Sequence, residues 1–168
     1  MLFRSGLSAF VALSLALLTG VALRSAVLSF AGSNRAVEGV HEFTTVLWLP
    51  LGAVHVLSLL LDPTARIGPL DVVVPFRAVS GTLPMGLGTL SLLLVSVVAA
   101  AGWGRRRLPA AAWRWLHRLS YVAFGLLFAH ALTGGTDFGT PVVSAATWGI
   151  AALLAVLAAA RMVWGHLA

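Results

Sequence analysis

The chain has 168 residues, of which 60% are hydrophobic and only 10% are charged, and its mean hydropathy is +0.98. A soluble domain carries about 25% charged residues, so this composition excludes an ordinary water-soluble globule. The formal net charge of +6 comes from eleven arginines and no lysine. Most of these arginines flank apolar segments, which a membrane protein explains better than a nucleic-acid partner does.

Five uncharged segments predict the architecture. Each reaches or approaches the roughly 20 apolar residues that a transmembrane helix requires. We therefore expect an all-α, polytopic transmembrane helical bundle of about five spans, forming a single domain over residues 1–168. The predicted spans cover about residues 6–30, 38–61, 84–103, 113–132 and 142–164.

The first segment has one feature of a signal peptide, because Ser29 and Ala31 would suit a cleavage site. Its apolar run is longer than the usual hydrophobic region of about 7–15 residues. We therefore expect this segment to be retained as a membrane span.

The arginines predict the orientation of the spans. The loop between the third and fourth spans contains Arg105, Arg106 and Arg107. If that loop is cytoplasmic, eight of the eleven arginines lie inside, as the positive-inside rule requires. The N-terminus is then outside and the C-terminus cytoplasmic. The connection between the second and third spans, residues 62–84, contains four prolines and cannot form a continuous helix.

Four of the five histidines lie on two of the spans. His41 and His55 are 14 residues apart on the second span, and His117 and His130 are 13 apart on the fourth. At 1.5 Å per residue these separations are about 21 and 20 Å along the helix axis. The two spans cross the membrane in the same direction, so the histidines form two pairs at matched depths. This is the arrangement that two stacked haems with histidine on both sides require.

Other uses of these histidines fit less well. A zinc site needs ligands that converge at one point, whereas the pairs are about 20 Å apart. A proton relay usually includes carboxylates within the membrane, and only Glu42 lies near a span. The fifth histidine, His166, is expected at the membrane interface.

The helical register raises one objection to the two pairs. Fourteen steps bring a side chain back within about 40° of its starting face, but thirteen steps miss by about 140°. The fourth span would therefore need a local distortion, for which Gly125 is a candidate, or a ligand approaching from the flank of the helix.

The segment WRWLHRLSYVAFGLLFAH, from Trp113 to His130, resembles the haem-binding helix of the ferric reductase-like transmembrane domain family. The two histidine spacings are similar to that family's pattern over about residues 38–160. So are Pro75 and Phe76 followed by GLGTLSLLL, and the Gly-Thr-Asp at 135–137. The family includes the membrane parts of ferric reductases and NADPH oxidases, and the haem-binding subunit of a bacterial methionine-sulfoxide reductase system.

The resemblance implies a membrane cytochrome with two b haems, in which electrons cross the bilayer. It implies that His41 and His117 ligate the inner haem and that His55 and His130 ligate the outer one. Arg114 and Arg118 are candidate partners of the haem propionates, because guanidinium groups match carboxylates. Both arginines are equally explained by membrane topology alone.

The chain departs from the family in two respects. It contains no flavin- or nicotinamide-binding module, and it has five predicted spans rather than six. We therefore expect electrons to come from a separate cytoplasmic flavoprotein or a membrane quinol, and to leave to an external metal ion or partner protein. The expected location is a plasma membrane, that of a bacterium. A haem-binding anchor that conducts no electrons, and a metal or proton transporter, remain the alternatives.

Overall fold

The computed structural model describes residues 4–25 and 33–164, and the regular structure in these residues is helical. The predicted all-α class is therefore confirmed. The segment 26–32, which contains Ser29 and Ala31, and the residue His166 lie outside the described residues. The elements in chain order are α1 (Arg4–Ser25), α2 (Asn34–Leu61), a short α3 (Pro69–Val73), α4 (Thr82–Trp103), α5 (Ala110–Gly134), a 3-10 turn (Thr136–Gly139) and α6 (Pro141–Trp164).

Within residues 4–25 and 33–164, three segments are long and apolar enough to cross a bilayer: Ser5–Leu23, Asn34–Leu61 and Thr82–Trp103. The apolar stretch of α6 is shorter, Pro141–Leu157. Helix α5 has 25 residues, but three arginine and histidine side chains in its first half make it more polar. These helices are consistent with the predicted helical membrane protein. The orientation and the count of five spans stay predictions.

The described chain divides into two compact units, and the first comprises Phe3–Val54 and Thr136–Ala168. In this unit α1 packs against α6, and the rings of Phe10 and Phe138 meet edge to face with their centres 5.3 Å apart. The buried face of α1 is made largely of alanines. Small side chains of this kind let membrane helices approach closely.

The second unit runs from His55 to Gly135, and its framework is the extensive packing of α4 against α5. The buried Ser91 hydroxyl donates a hydrogen bond to the Ala123 carbonyl at 2.8 Å. At the other end of the pair, a Cβ on Gly134 would lie 2.8 Å from the Cβ of Pro84. The two helices therefore approach as closely as glycine allows.

The connection between α2 and α4 is folded onto α4. The predicted interruption of helix is present, and it contains the short α3, which the sequence analysis did not predict. The Thr89 hydroxyl of α4 donates to the Asp71 carbonyl at 3.0 Å, and the Phe76 ring occupies the space that a side chain at Gly86 would need. Phe76 has a φ of 61°, a left-handed conformation that costs energy in a bulky residue. Packing against Gly86 stabilises it.

The turn after α2 is held by a single carboxylate. Asp62 accepts hydrogen bonds through Oδ1 from the Thr64 hydroxyl at 2.6 Å and from the Thr64 amide at 2.9 Å. These bonds, of which the one from the Thr64 hydroxyl has the largest effect, hold the pKa of the Asp62 carboxyl below its ordinary value because they favour the ionised form. The turn therefore ends α2 with a charged, solvated group.

Candidate functional site

The second unit brings two of the four predicted ligands together. His55, near the end of α2, and His130, on α5, have ring centres 6.3 Å apart, with their planes inclined by 68°. Both side chains are half-buried. The two histidines that the resemblance assigns to the outer haem are therefore neighbours.

His130 is held in one tautomer by the backbone of α4. Its Nδ1 lies 2.7 Å from the carbonyl oxygen of Pro84. A carbonyl only accepts hydrogen bonds, so Nδ1 must carry the proton and donate it. The lone pair of Nε2 then remains available for a metal. Histidines that ligate metals are commonly oriented by such a bond from their other nitrogen.

His55 differs from its neighbour. Its Nδ1 is buried and has no hydrogen-bond partner among the described residues. A buried polar atom without a partner costs about 1–3 kcal/mol.

The spacing of these two rings fits a metal held from opposite sides. Two bonds of about 2.0 Å, one from each imidazole, place the ring centres roughly 6 Å apart, close to the 6.3 Å found. In residues 4–25 and 33–164, no three histidine, aspartate or glutamate side chains gather where they could hold a metal ion. The donor set here is two imidazoles.

His41, in the first unit, repeats the arrangement of His130. Its Nδ1 lies 2.8 Å from the carbonyl oxygen of Ala16 on α1, so the same argument makes Nδ1 the donor. The backbone carbonyl of His41 accepts a bond from the Thr45 hydroxyl at 2.7 Å. Helix α1 lies outside the predicted haem-binding core of residues 38–160, and the sequence analysis did not assign it to the site.

His117, in the second unit, lies in an aromatic stack near the start of α5. Its ring is parallel to that of Trp113 within 16°, with the centres 5.2 Å apart. The Arg105 guanidinium lies over the Trp113 ring, 4.7 Å from its centre. The Trp113 Nε1 is buried and has no hydrogen-bond partner among the described residues. His41 and His117 belong to different units.

The two candidate propionate partners are both exposed. Arg114 points to the surface of the described chain. The Arg118 guanidinium lies 5.0 Å from the centre of the Trp115 ring, a distance at which a cation is attracted to an aromatic face. Their role at a propionate stays a prediction.

Helix α5 contains no distortion of the kind proposed at Gly125. It runs without interruption from Ala110 to Gly134, and Gly125 is exposed with open space around it. His117 and His130 therefore point about 140° apart around the helix axis. Of the two solutions that the register allows, the approach of a ligand from the flank of α5 remains.

The chain was compared with models of protein families, with curated proteins and with solved structures, and no match was found.

Proposed function

We propose that this protein is the membrane subunit of an oxidoreductase, similar to the ferric reductase-like family, and that it carries electrons across the bilayer. It holds two b haems. His41 and His117 ligate the inner haem, and His55 and His130 ligate the outer one. The observation that carries the proposal is the pair of rings 6.3 Å apart, one of them fixed by a backbone carbonyl with its Nε2 available.

Haem iron with an imidazole on each side exchanges single electrons and has no open position for oxygen. The residues of this chain bind and orient that group. In their neutral form His130 and His41 carry the proton on Nδ1, because that nitrogen donates to a backbone carbonyl. Neutral imidazole is the form that ligates a metal.

Electrons enter this subunit from a separate cytoplasmic flavoprotein or from a quinol in the membrane. Haem held by His55 and His130 would pass them to a metal ion or a partner protein. Two centres at different depths divide the crossing into short steps, which a bare hydrocarbon layer does not provide. The membrane is the cytoplasmic membrane of a bacterium, with the loop at residues 105–107 on the donor side.

The first test is the haem content and the reduced-minus-oxidised visible spectrum of the detergent-purified protein, produced in cells supplied with haem precursor. We expect about two b haems per chain with the sharp bands of low-spin iron. Absence of haem would contradict the proposal and favour transport. One haem per chain would reject the transmembrane relay and leave a haem-binding anchor.

The direction of transfer is tested separately in sealed vesicles. The protein is reconstituted with its cytoplasmic face inward, a reductant that cannot cross the bilayer is enclosed, and an impermeant ferric chelate is added outside. We expect reduction of the external iron that depends on haem loading. No external reduction by a fully loaded protein would contradict the electron-carrying role.

A further inference from the structure

His41 and His130 are held by the same local structure on two different helices. His130 donates to the carbonyl of Pro84, and a Cβ added to Gly88 would lie 2.8 Å from the His130 Nδ1. His41 donates to the carbonyl of Ala16, and a Cβ added to Gly20 would lie 3.1 Å from the His41 Cε1. In both cases the glycine follows the accepting residue by four positions.

The four-residue offset has a physical reason. In an α-helix, the carbonyl of one residue points toward the amide four residues later. The Cβ of that later residue leans back toward the N-terminus and covers the turn before it. A side chain at this position would shield the carbonyl from a neighbouring helix. Glycine there exposes the carbonyl, so that an imidazole can donate to it.

Glycine is otherwise unfavourable in the interior of a helix. Gly20 lies within α1 and Gly88 within α4. Each of these two positions has a histidine ring next to the place its side chain would take. Alanine at Gly88 would collide with that ring, and alanine at Gly20 would make a tight contact that requires a small shift. Other glycines in the described helices, such as Gly102 on α4, have open space at the same point.

We infer that Gly20 and Gly88, with the carbonyls of Ala16 and Pro84, form two histidine seats that fix the tautomer and ring position of one ligand of each haem. This inference rests on the proposed function for the identity of the ligand, but the seat itself is a property of the protein without haem. Gly20 and Gly88 are positioning residues, and α1 takes part in holding His41.

The test compares Gly88→Ala with Gly102→Ala in the full-length protein. Both substitutions replace glycine with alanine on α4, so both favour the helix to the same degree, and only the first meets His130. The purified apoproteins are titrated with hemin. We expect Gly88→Ala to weaken binding at the outer site by ~10–100-fold, the usual effect of losing a bond that orients a ligand. We expect Gly102→Ala to bind as the wild type does.

A second measurement needs no haem. Nitrogen-15 NMR of histidine-labelled apoprotein distinguishes the two imidazole tautomers, and replacement of His130 by glutamine identifies its signals. We expect a protonated Nδ1 and an unprotonated Nε2 at His130 in the wild type and in Gly102→Ala, and a mixture of tautomers in Gly88→Ala. A mere loosening of the helix pair would be seen as loss of the signals of other residues, and unchanged spectra elsewhere exclude it.

The outcomes separate the seat from the proposed function. If wild-type His130 carries its proton on Nε2, or if Gly88→Ala leaves both the tautomer and hemin affinity unchanged, the seat is overturned. If the wild type binds no hemin while Gly88→Ala still alters the tautomer, the seat stands and the haem proposal falls.

Discussion

The two histidine seats have the same local structure but lie in differently built surroundings. In the second unit, His130 lies on α5 and donates a hydrogen bond to α4. These two helices pack together extensively. The Ser91 bond and the Gly134 contact lie in the same interface. In the first unit, His41 lies on α2 and donates a hydrogen bond to α1. Helix α1 itself packs against α6.

This difference concerns rigidity. A ring that is held within an extensive helix interface cannot move without separating two packed surfaces, because closely packed interiors resist displacement. A ring whose bonding partner belongs to a helix that packs against a different helix can move at lower cost. We therefore expect the position of His130 to be fixed more firmly than that of His41, and the comparison of Gly20→Ala with Gly88→Ala tests this order.

Removal of a ligand should have the largest effect. We expect His130→Ala to lose the outer haem and retain most of the inner one, because a single imidazole holds haem iron much more weakly than two. His55→Ala should give the same selective loss. The measurement is haem per protein with the low-temperature spectrum, which resolves the two centres. His166→Ala is the control, and a loss of haem there would mean that the set of ligands is wrong.

The sequence predicted the helices and the four candidate ligands. It did not predict the carbonyls and glycines that hold His41 and His130. Apolar length and the spacing of His41, His55, His117 and His130 can be read directly from the chain. A hydrogen bond from His130 to a carbonyl 46 positions away depends on how two helices pack. The carbonyl belongs to the backbone, so no residue type marks it.

Helix α1 illustrates the same limit. From the sequence it was predicted only as a retained membrane span, outside the haem-binding core of residues 38–160. Gly20 was its only signal, and a glycine in an apolar helix is equally typical of ordinary helix packing. Likewise, Gly125 lies between two predicted ligands and was the candidate for a distortion of the helix, whereas the structure leaves open space at its Cβ position.

The next largest effect should come from Gly20→Ala, and it should be smaller than that of Gly88→Ala. The added Cβ would lie 3.1 Å from His41, against 2.8 Å at His130, so a shift of a few tenths of an ångström relieves the contact. We expect a loss of inner-site hemin affinity of about tenfold, the low end of the range for such orienting bonds. Gly39→Ala, in open space two residues before His41, is the matched control. Equal losses in Gly20→Ala and Gly88→Ala would contradict the difference in rigidity.

The packing of α4 on α5 is tested by Ser91→Ala. This substitution removes the bond to the Ala123 carbonyl and should lower the free energy of unfolding by about 0.6–1 kcal/mol. Thermal unfolding in detergent measures it. Ser96→Ala is the control, since its hydroxyl is exposed and bonds within its own helix, to Leu92. If His130 depends on this interface, Ser91→Ala also broadens the His130 NMR signals, and Ser96→Ala does not.

The smallest effect should come from the ion pair in the connection that covers α4. Arg77 Nε lies 3.7 Å from Asp71 Oδ1, but 48% of the arginine side chain is exposed. Solvent screens such a pair, and its contribution is at most about 0.2–1 kcal/mol. Asp71→Asn keeps an acceptor for the Gly68 amide, which bonds to Asp71 Oδ2 at 2.8 Å, and removes only the charge. We expect the free energy of unfolding of this variant to lie within a few tenths of a kcal/mol of the wild-type value.

Asp71→Ala also removes the acceptor of the Gly68 amide. It should lower the free energy of unfolding by about 1 kcal/mol more than Asp71→Asn does. The difference between the two variants should persist at high salt, because the bond to Gly68 is local and the ion pair is screened. A larger cost for Asp71→Asn that disappears at high salt would show that charge holds the connection in place. If Asp71→Ala destabilises the protein more than Asp71→Asn, as we expect, hydrogen bonds hold the connection in place. They include the bond from Thr89, the residue next to Gly88 in the His130 seat.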